Sequence, residues 1–177
     1  MTIQRKLLPA LLLAGSLAVP GLLPAQQAAA PSAPAAKRDS SLVAMARAQL
    51  GRRYLFGGGD PDAGFDCSGF TRYLLRALNV QLPRTAAEQS HAGREVPRDP
   101  SRLRVGDLLT FGRGGRITHV GIYVGEGRYV HASSYAGRIV ESRLDRRESS
   151  LVRAWMGVRR LLADAPGDSA STGLAAR

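Results

Sequence analysis

The apolar residues of this chain are spaced as in helices up to about residue 104 and as in strands after it, which limits the folds that the chain can adopt. Beyond Cys67, for example, apolar side chains recur at Phe70, Leu74 and Leu78, with arginines on another face. From residue 105 onward the apolar residues form short runs separated by glycines. We therefore predict helices in the first part of the chain and strands in the second.

Residues that favour helix ends bound three predicted helices. Asp39 or the next residue caps the first helix, which ends near Gly51. The second begins at the cysteine and ends near Asn79, a residue that tolerates left-handed backbone. Thr85 and Glu88 have the spacing of a capping box, which predicts a short third helix through about residue 91.

The second part of the chain predicts five strands. They are expected at residues 105–111, 119–124, 128–133, 138–142 and 153–160. The second and third of these form a hairpin across a glycine-containing loop, and the last two are expected to pair with each other. Residues 96–104 contain two prolines and are predicted to be a loop.

The first 30 residues have the layout of a secretory signal peptide. Arg5 and Lys6 precede an apolar run at residues 7–23, and small residues and glutamine follow it. Two prolines in or beside this run argue against a stable membrane anchor, although an uncleaved anchor is the alternative. We predict cleavage near residues 25–30 and export to the periplasm or the extracellular cell wall.

Composition divides the rest of the chain into three parts. Residues 31–38 are rich in alanine and proline and are predicted to be a flexible linker. Residues 39–162 carry the periodic segments and are predicted to form one folded domain, and residues 163–177 are predicted to be a disordered tail.

The chain is strongly basic, with a formal net charge of +11, mostly from arginine. Loss of residues 1–30 would remove Arg5 and Lys6 and leave nine of these charges. Because the charge is spread along the chain, we expect weak attraction to anionic polymers of the cell envelope, and no nucleic acid partner.

The only cysteine, Cys67, lies in the first turn of the second predicted helix. A single cysteine forms no disulfide within the chain, so its use is in packing or in reactivity. The N–H groups and the dipole at a helix start stabilise a thiolate, which predicts a lowered thiol pKa. The alternative is a small buried residue that acts as a hydrophobe.

Two histidines, His119 and His131, lie on the predicted hairpin, and the loop length decides whether they share a face. A two-residue loop places them on opposite faces. A three-residue loop, with a type I turn and a left-handed glycine at Gly127, places His119 opposite Ser133 and His131 opposite Gly121. We predict this second form, which makes the histidines diagonal neighbours on one face.

Cys67, His119 and His131 supply a nucleophile, a base and a group that orients the base. The backbone N–H of Cys67 and the hydroxyl of Tyr54 are candidate donors to an oxyanion. The same three side chains are also possible metal ligands, but the chain has no Cys-x-x-Cys or His-Glu-x-x-His spacing, so no metal is expected. A structural or binding domain is a further alternative. His91 has no such neighbours and is expected on the surface.

Several short motifs occur in a fixed order. They are Tyr-x-x-Gly-Gly from Tyr54, Asp-Cys-Ser-Gly-Phe from Asp66, Leu-Pro-Arg-Thr from Leu82, Gly-Asp-Leu-Leu-Thr-Phe from Gly106, His-Val-Gly-Ile-Tyr-Val-Gly from His119 and His-Ala-Ser from His131. In this order the chain resembles the NlpC/P60 family of cell-wall cysteine peptidases over about residues 39–162.

The resemblance implies an α+β, papain-like fold with N-terminal helices. In that fold the nucleophile helix packs on a central antiparallel sheet of about five or six strands. The resemblance also implies hydrolysis of peptidoglycan stem peptides, commonly between D-glutamate and the diamino acid. We expect the protein to act as a monomer and without a cofactor. D-alanyl crosslink cleavage, an amidase or acyltransferase activity, and non-catalytic wall binding are the alternatives.

The resemblance also assigns roles to individual residues. It makes Cys67 the nucleophile, His119 the general base and His131 the orienting residue, and it places Tyr54 at the oxyanion. Asp66, Ser68 and Arg84 match positions that contact the stem peptide. Phe56 and Ala86 depart from the usual tryptophan and serine, which bears on substrate binding and removes no catalytic group.

Overall fold

The computed structural model describes residues 32–162 of the 177-residue chain. The predicted signal peptide at residues 1–30 and the predicted tail at residues 163–177 lie outside the described residues.

Within residues 32–162 the chain forms four α-helices and eight strands. The helices are α1 (Ala33–Ala48), α2 (Cys67–Arg76), α3 (Ala86–Gln89) and α4 (Ser150–Arg153). The strands are β1 (Gly59–Asp60), β2 (Gly64–Phe65), β3 (Arg94–Val96), β4 (Leu108–Arg113), β5 (Arg116–Gly125), β6 (Arg128–Ser133), β7 (Arg138–Arg143) and β8 (Trp155–Arg160).

Six of the strands form one antiparallel sheet in the order β3-β8-β4-β5-β6-β7. The remaining two, β1 and β2, pair in a short ribbon that leads into α2. This arrangement confirms the α+β fold with a central antiparallel sheet of five or six strands.

Apolar side chains cover both faces of the sheet. On one face, Phe70 and Leu74 of α2 belong to the same buried cluster as Val120 and Ile122. On the other face, a second cluster is built around Leu109, Phe111 and Tyr129, with α4 and Trp155 packed against it. Burial of a large apolar side chain stabilises a fold by about 1.5–3 kcal/mol, so the first cluster holds the start of α2 firmly against β5.

The first helix begins earlier than the sequence predicted. Helix α1 starts at Ala33 with a proline in its first turn, so the linker boundary at Asp39 was wrong. Proline fits the first turn because its φ is already helical and its missing N–H needs no partner there. The alanines that follow have the highest helix propensity, and Ala35 is buried.

The predicted pairing of the last two strands was also wrong. Strand β7 pairs with β6, whereas β8 lies between β3 and β4. The apolar pattern reports which face of a strand is buried but not which strand lies beside it. The short strand β3 was missed because it has three residues and only Val96 is buried.

The predicted ends of α2 and α3 agree closely with the structure. Asn79 adopts left-handed backbone (φ 61°) in the turn after α2. The backbone N–H of Glu88 donates to Thr85 Oγ1 at 3.2 Å, and the Glu88 carboxylate accepts from the Thr85 N–H at 3.0 Å. This capping box is confirmed, and α3 ends at Gln89, two residues before the predicted end.

Candidate active site

Helix α2 starts at Cys67 because Asp66 caps it. The Asp66 side chain accepts hydrogen bonds from the backbone N–H of Gly69 at 2.7 Å and of Gly57 at 3.0 Å. Burial raises the pKa of Asp66, but hydrogen bonds from Arg84 and Gly69 outweigh it, and the pKa lies below its ordinary value. The charged cap fixes the direction in which the first turn presents the cysteine.

Asp66, Ser68 and Arg84, the three predicted substrate residues, form one hydrogen-bonded group. Arg84 donates to both oxygens of Asp66 at 2.7 and 3.1 Å and to Ser68 Oγ at 3.0 Å. Ser68 Oγ also donates to Asp66 at 3.2 Å. Asp66 is 7% exposed, whereas the Arg84 side chain is 39% exposed. Arg84 is therefore the member of this group that meets solvent.

Cys67 is 9% exposed, and its surroundings favour the neutral thiol. Burial raises the pKa of Cys67 and outweighs the backbone N–H groups of Val120, Ser68 and Cys67 itself, which lower it. The predicted lowering of the thiol pKa was wrong, because desolvation is stronger here than the helix start. The interaction with Val120 places the sulfur beside β5, next to His119 in the chain.

Tyr54 lies close to the cysteine. Burial raises its pKa first, and the nearby Cys67 and Asp66 raise it further, since both would repel a tyrosinate. The backbone N–H of Tyr54 donates to the carbonyl of Gly137 at 2.8 Å, which ties this segment to the turn between β6 and β7. The phenol thus keeps its proton and is available as a hydrogen-bond donor.

The two histidines share one face of the β5–β6 hairpin, as predicted, but the turn differs from the prediction. Gly125 pairs with Arg128, so the loop has two residues, and both have positive φ (53° and 69°). A bulge after Tyr123 then shifts the register so that Tyr123 pairs with Tyr129. The bulge supplies the extra residue that the prediction placed in the loop. His119 and His131 therefore still lie on the same face of the hairpin.

His119 and His131 are in direct contact. His119 Nε2 lies 2.8 Å from His131 Nδ1, and the rings meet edge to face with centroids 4.9 Å apart. Gly121 makes room for this contact, because a Cβ at that position would lie 3.1 Å from His131 Cβ. The pair uses one nitrogen from each ring and leaves Nδ1 of His119 for another partner.

Both histidines are held neutral. Burial lowers the pKa of His119 to about 4. Burial, and then the charge that His119 would carry, lower the pKa of His131 to about 3. Near pH 7 the site therefore contains a neutral thiol and a neutral imidazole pair.

Ser142 continues this chain of contacts and was missed by sequence reasoning. Its hydroxyl lies 3.2 Å from His131 Nε2, and the Tyr129 ring stacks on His131 with centroids 5.2 Å apart. Burial raises the pKa of Tyr129 to about 12, although a hydrogen bond from Ser142 opposes the shift. A prediction that β7 pairs with β6 could have revealed Ser142. The register pairs Tyr129 with Ser142, which makes Ser142 a diagonal neighbour of His131.

The remaining observations concern metals, membranes and the third histidine. Within residues 32–162, no group of three or more histidine, cysteine, aspartate or glutamate side chains is arranged to hold a metal ion. No helix in the same residues is long and apolar enough to cross a bilayer. His91 is exposed, as predicted.

A helix that starts at a cysteine and packs on a sheet bearing a histidine pair defines the class of protein as papain-like. Residues 51–160 match the NlpC/P60 family. The chain belongs to this family, as its motifs predicted.

Among curated relatives, the chain is 38% identical over 117 residues to the murein DD-endopeptidase MepH of Escherichia coli. It is 40% identical over 101 residues to the gamma-DL-glutamyl hydrolase of Bacillus subtilis. These matches cover 64% and 55% of this chain but only 42% and 24% of the two relatives. The chain thus spans less than half the length of either relative.

A solved structure gives the same result for the fold. The peptidoglycan hydrolase RipB of Mycobacterium tuberculosis is 33% identical and superposes with a TM-score of 0.61. The superposition covers 76% of this chain and 69% of that one.

Proposed function

We propose that this chain is an exported cysteine endopeptidase that hydrolyses amide bonds in peptidoglycan stem peptides. The observation that carries the proposal is the 2.8 Å contact between His119 Nε2 and His131 Nδ1, on two strands that contact the helix beginning at Cys67. The names of the relatives, which include a murein endopeptidase and a peptidoglycan hydrolase, support the wall as the substrate.

One placement of protons satisfies the histidine contacts and prepares a base. His119 carries its proton on Nε2 and donates it to His131 Nδ1, and His131 donates from Nε2 to Ser142 Oγ. Nδ1 of His119 then has a free lone pair. His131 acts as the orienting residue because it fixes both the tautomer and the ring position of the base.

Attack begins from the neutral pair. Nδ1 of His119 takes the thiol proton as Cys67 Sγ bonds to the substrate carbonyl carbon, and the carbonyl oxygen becomes an oxyanion. The backbone N–H of Cys67 and the hydroxyl of Tyr54 donate to this oxyanion. Proton transfer at the moment of attack suits a site whose burial disfavours a preformed ion pair.

The tetrahedral species then breaks down. The C–N bond cleaves, His119 gives its proton to the leaving amine, and the acyl part stays on Cys67 as a thioester. A water molecule, deprotonated by His119, attacks the thioester and releases the acid and the free thiol.

The acyl side of the substrate binds near Arg84. Asp66 and Ser68 position Arg84 through three hydrogen bonds, while the Arg84 side chain as a whole remains 39% exposed. A fixed, planar guanidinium suits a substrate carboxylate. We infer that Arg84 makes the main polar contact and that Asp66 and Ser68 hold it beside the nucleophile.

The bond we favour is the one between D-glutamate and the diamino acid. The similarity to a gamma-DL-glutamyl hydrolase agrees with this choice. Cleavage of the D-alanyl crosslink to the diamino acid is the second candidate, because a murein DD-endopeptidase is similarly related.

Export and wall retention complete the proposal. We propose that residues 1–30 direct export and are removed, that residues 163–177 form a tail, and that the monomer works in the periplasm or the cell wall. The nine formal positive charges that remain after removal of Arg5 and Lys6 would hold the protein near anionic envelope polymers.

The test is digestion of peptidoglycan and of purified muropeptides by the purified protein, with new termini identified by mass spectrometry. Free D-glutamyl carboxylates with diamino acid amines confirm the favoured bond. Free D-alanyl carboxylates from crosslinks establish the second candidate instead. Intact stem peptides released from muramic acid indicate an amidase, and no new termini overturn the enzymatic proposal.

A further inference from the structure

A cavity of about 450 Å³ opens beside His119, between the end of the β4–β5 hairpin and α4. Its apolar lining comes from Phe111, Leu151 and Ala154, and its polar lining includes His119, Arg113 and Arg116. The proposed base, His119, lines this cavity. The other proposed site residues, which lie around the start of α2, do not line it; they are Tyr54, Asp66, Cys67, Ser68 and Arg84.

The two arginines face each other directly across the hairpin turn. Arg113 and Arg116 are paired residues of β4 and β5, and the two glycines between them have φ of 59° and 79°. Directly paired residues point to the same face, with Cβ atoms about 4.5–5.5 Å apart. The two guanidinium groups are thus attached at neighbouring points on one wall of the cavity.

Such a pair is unfavourable without an anion. Like charges directly opposite on a sheet destabilise it. Within residues 32–162 neither the Arg113 nor the Arg116 side chain has a hydrogen bond or an ion pair, and both side chains are exposed. Most other arginines near the sheet have partners, such as Arg128 with Glu141 and Arg160 with Asp107. The uncompensated charge is therefore concentrated where the cavity meets His119.

We propose that Arg113 and Arg116 bind a carboxylate on the amine-side part of the substrate. The inference rests on the proposed function, in which Cys67 keeps the acyl part and His119 protonates the leaving amine. Because His119 protonates the leaving amine in that mechanism, we place the amine-side part of the substrate in the cavity that His119 lines. Two guanidinium groups on one wall are a strong match for a carboxylate, and the apolar floor suits the carbon chain that bears it.

The test compares two synthetic stem peptides that differ only on the amine side, where one has a free carboxylate and the other the carboxamide. The wild-type protein is expected to show a kcat/KM about tenfold higher for the carboxylate, as charge-assisted hydrogen bonds imply. The double variant Arg113→Gln, Arg116→Gln should lose this preference because its KM for the carboxylate peptide rises. Its kcat/KM for the carboxamide peptide should stay the same. Arg72→Gln, which removes an exposed arginine from α2, is the control and should keep the preference.

The outcomes separate the inference from the proposed function. If the wild-type protein cleaves both peptides equally, or if the double variant keeps the preference, the carboxylate site is refuted while the peptidase stands. If the wild-type protein cleaves neither peptide, the proposed function fails and the inference with it. Melting temperatures of all variants confirm that each is folded.

Discussion

His119 Nε2 lies 2.8 Å from His131 Nδ1, so the proposed base is held by the next strand rather than by its own. His131 in turn contacts Ser142 on β7. Three consecutive strands thus fix the orientation of one imidazole, and the bulge in β5 sets the register that aligns them.

The histidine contact predicts unequal losses on substitution. His119→Ala should lower kcat by about 10²- to 10⁴-fold, the range for loss of a general base. His131→Ala should lower it at least several-fold less, because a misoriented base still accepts a proton. Steady-state kinetics on a muropeptide measure both values. Equal and complete loss in the two variants would count against this division of roles.

Ser142→Ala should lower kcat by about 2- to 10-fold with little change in KM, since one hydrogen bond to His131 is lost. Ser142→Thr keeps the hydroxyl and is the matched control, so it should recover most of the activity. If the threonine variant is as slow as the alanine variant, packing rather than the hydrogen bond explains the loss.

Much of this site could be predicted from the sequence, but the contact of Ser142 with His131 and the pKa of Cys67 could not. The capping box at Thr85 depends on local spacing, which the sequence states directly. The shared face of His119 and His131 was predicted correctly, but the bulge that produces it was not. Ser142 depends on which strand lies beside β6, and the long-range insertion of β8 between β3 and β4 depends on the whole core. The raised thiol pKa of Cys67 could not be predicted for a similar reason, because burial is a property of the packed fold.

Alkylation of Cys67 should require alkaline pH. Because burial raises the pKa of the thiol, the rate with iodoacetamide should rise with a midpoint above the usual thiol value of about 8.5. Glutathione under the same conditions is the control. A rate that has already reached its plateau near pH 6 would show a preformed thiolate, and the neutral starting state would be wrong.

Stability should fall when the pH is lowered from 7 to 5. Burial lowers the pKa of His119 to about 4 and of His131 to about 3 in the folded protein, from a usual value near 6.5. As the pH falls below 6.5, the unfolded chain therefore binds protons that the folded chain does not bind. The stabilisation from the two histidines is complete above about pH 6.5 and is lost progressively as the pH falls toward their folded-state pKa values. The free energy of unfolding should drop by about 1.4 kcal/mol per pH unit for each histidine in this window.

Urea unfolding at pH 7 and pH 5 measures this drop. The double variant His119→Gln, His131→Gln should show a smaller difference between the two pH values. His91→Gln removes an exposed histidine and should behave like the wild-type protein. A wild-type stability that is the same at both pH values would contradict the neutral histidine pair.

Cys67 as nucleophile is the central claim, and hydrolysis of purified muropeptides by the Cys67→Ala variant tests it most directly. Because alanine removes only the sulfur atom from this buried position, the melting temperature should change little. The expected result is a folded variant that releases no new amine termini in the time in which the wild-type protein digests the substrate completely. A folded variant that still produces those termini would contradict the proposed mechanism.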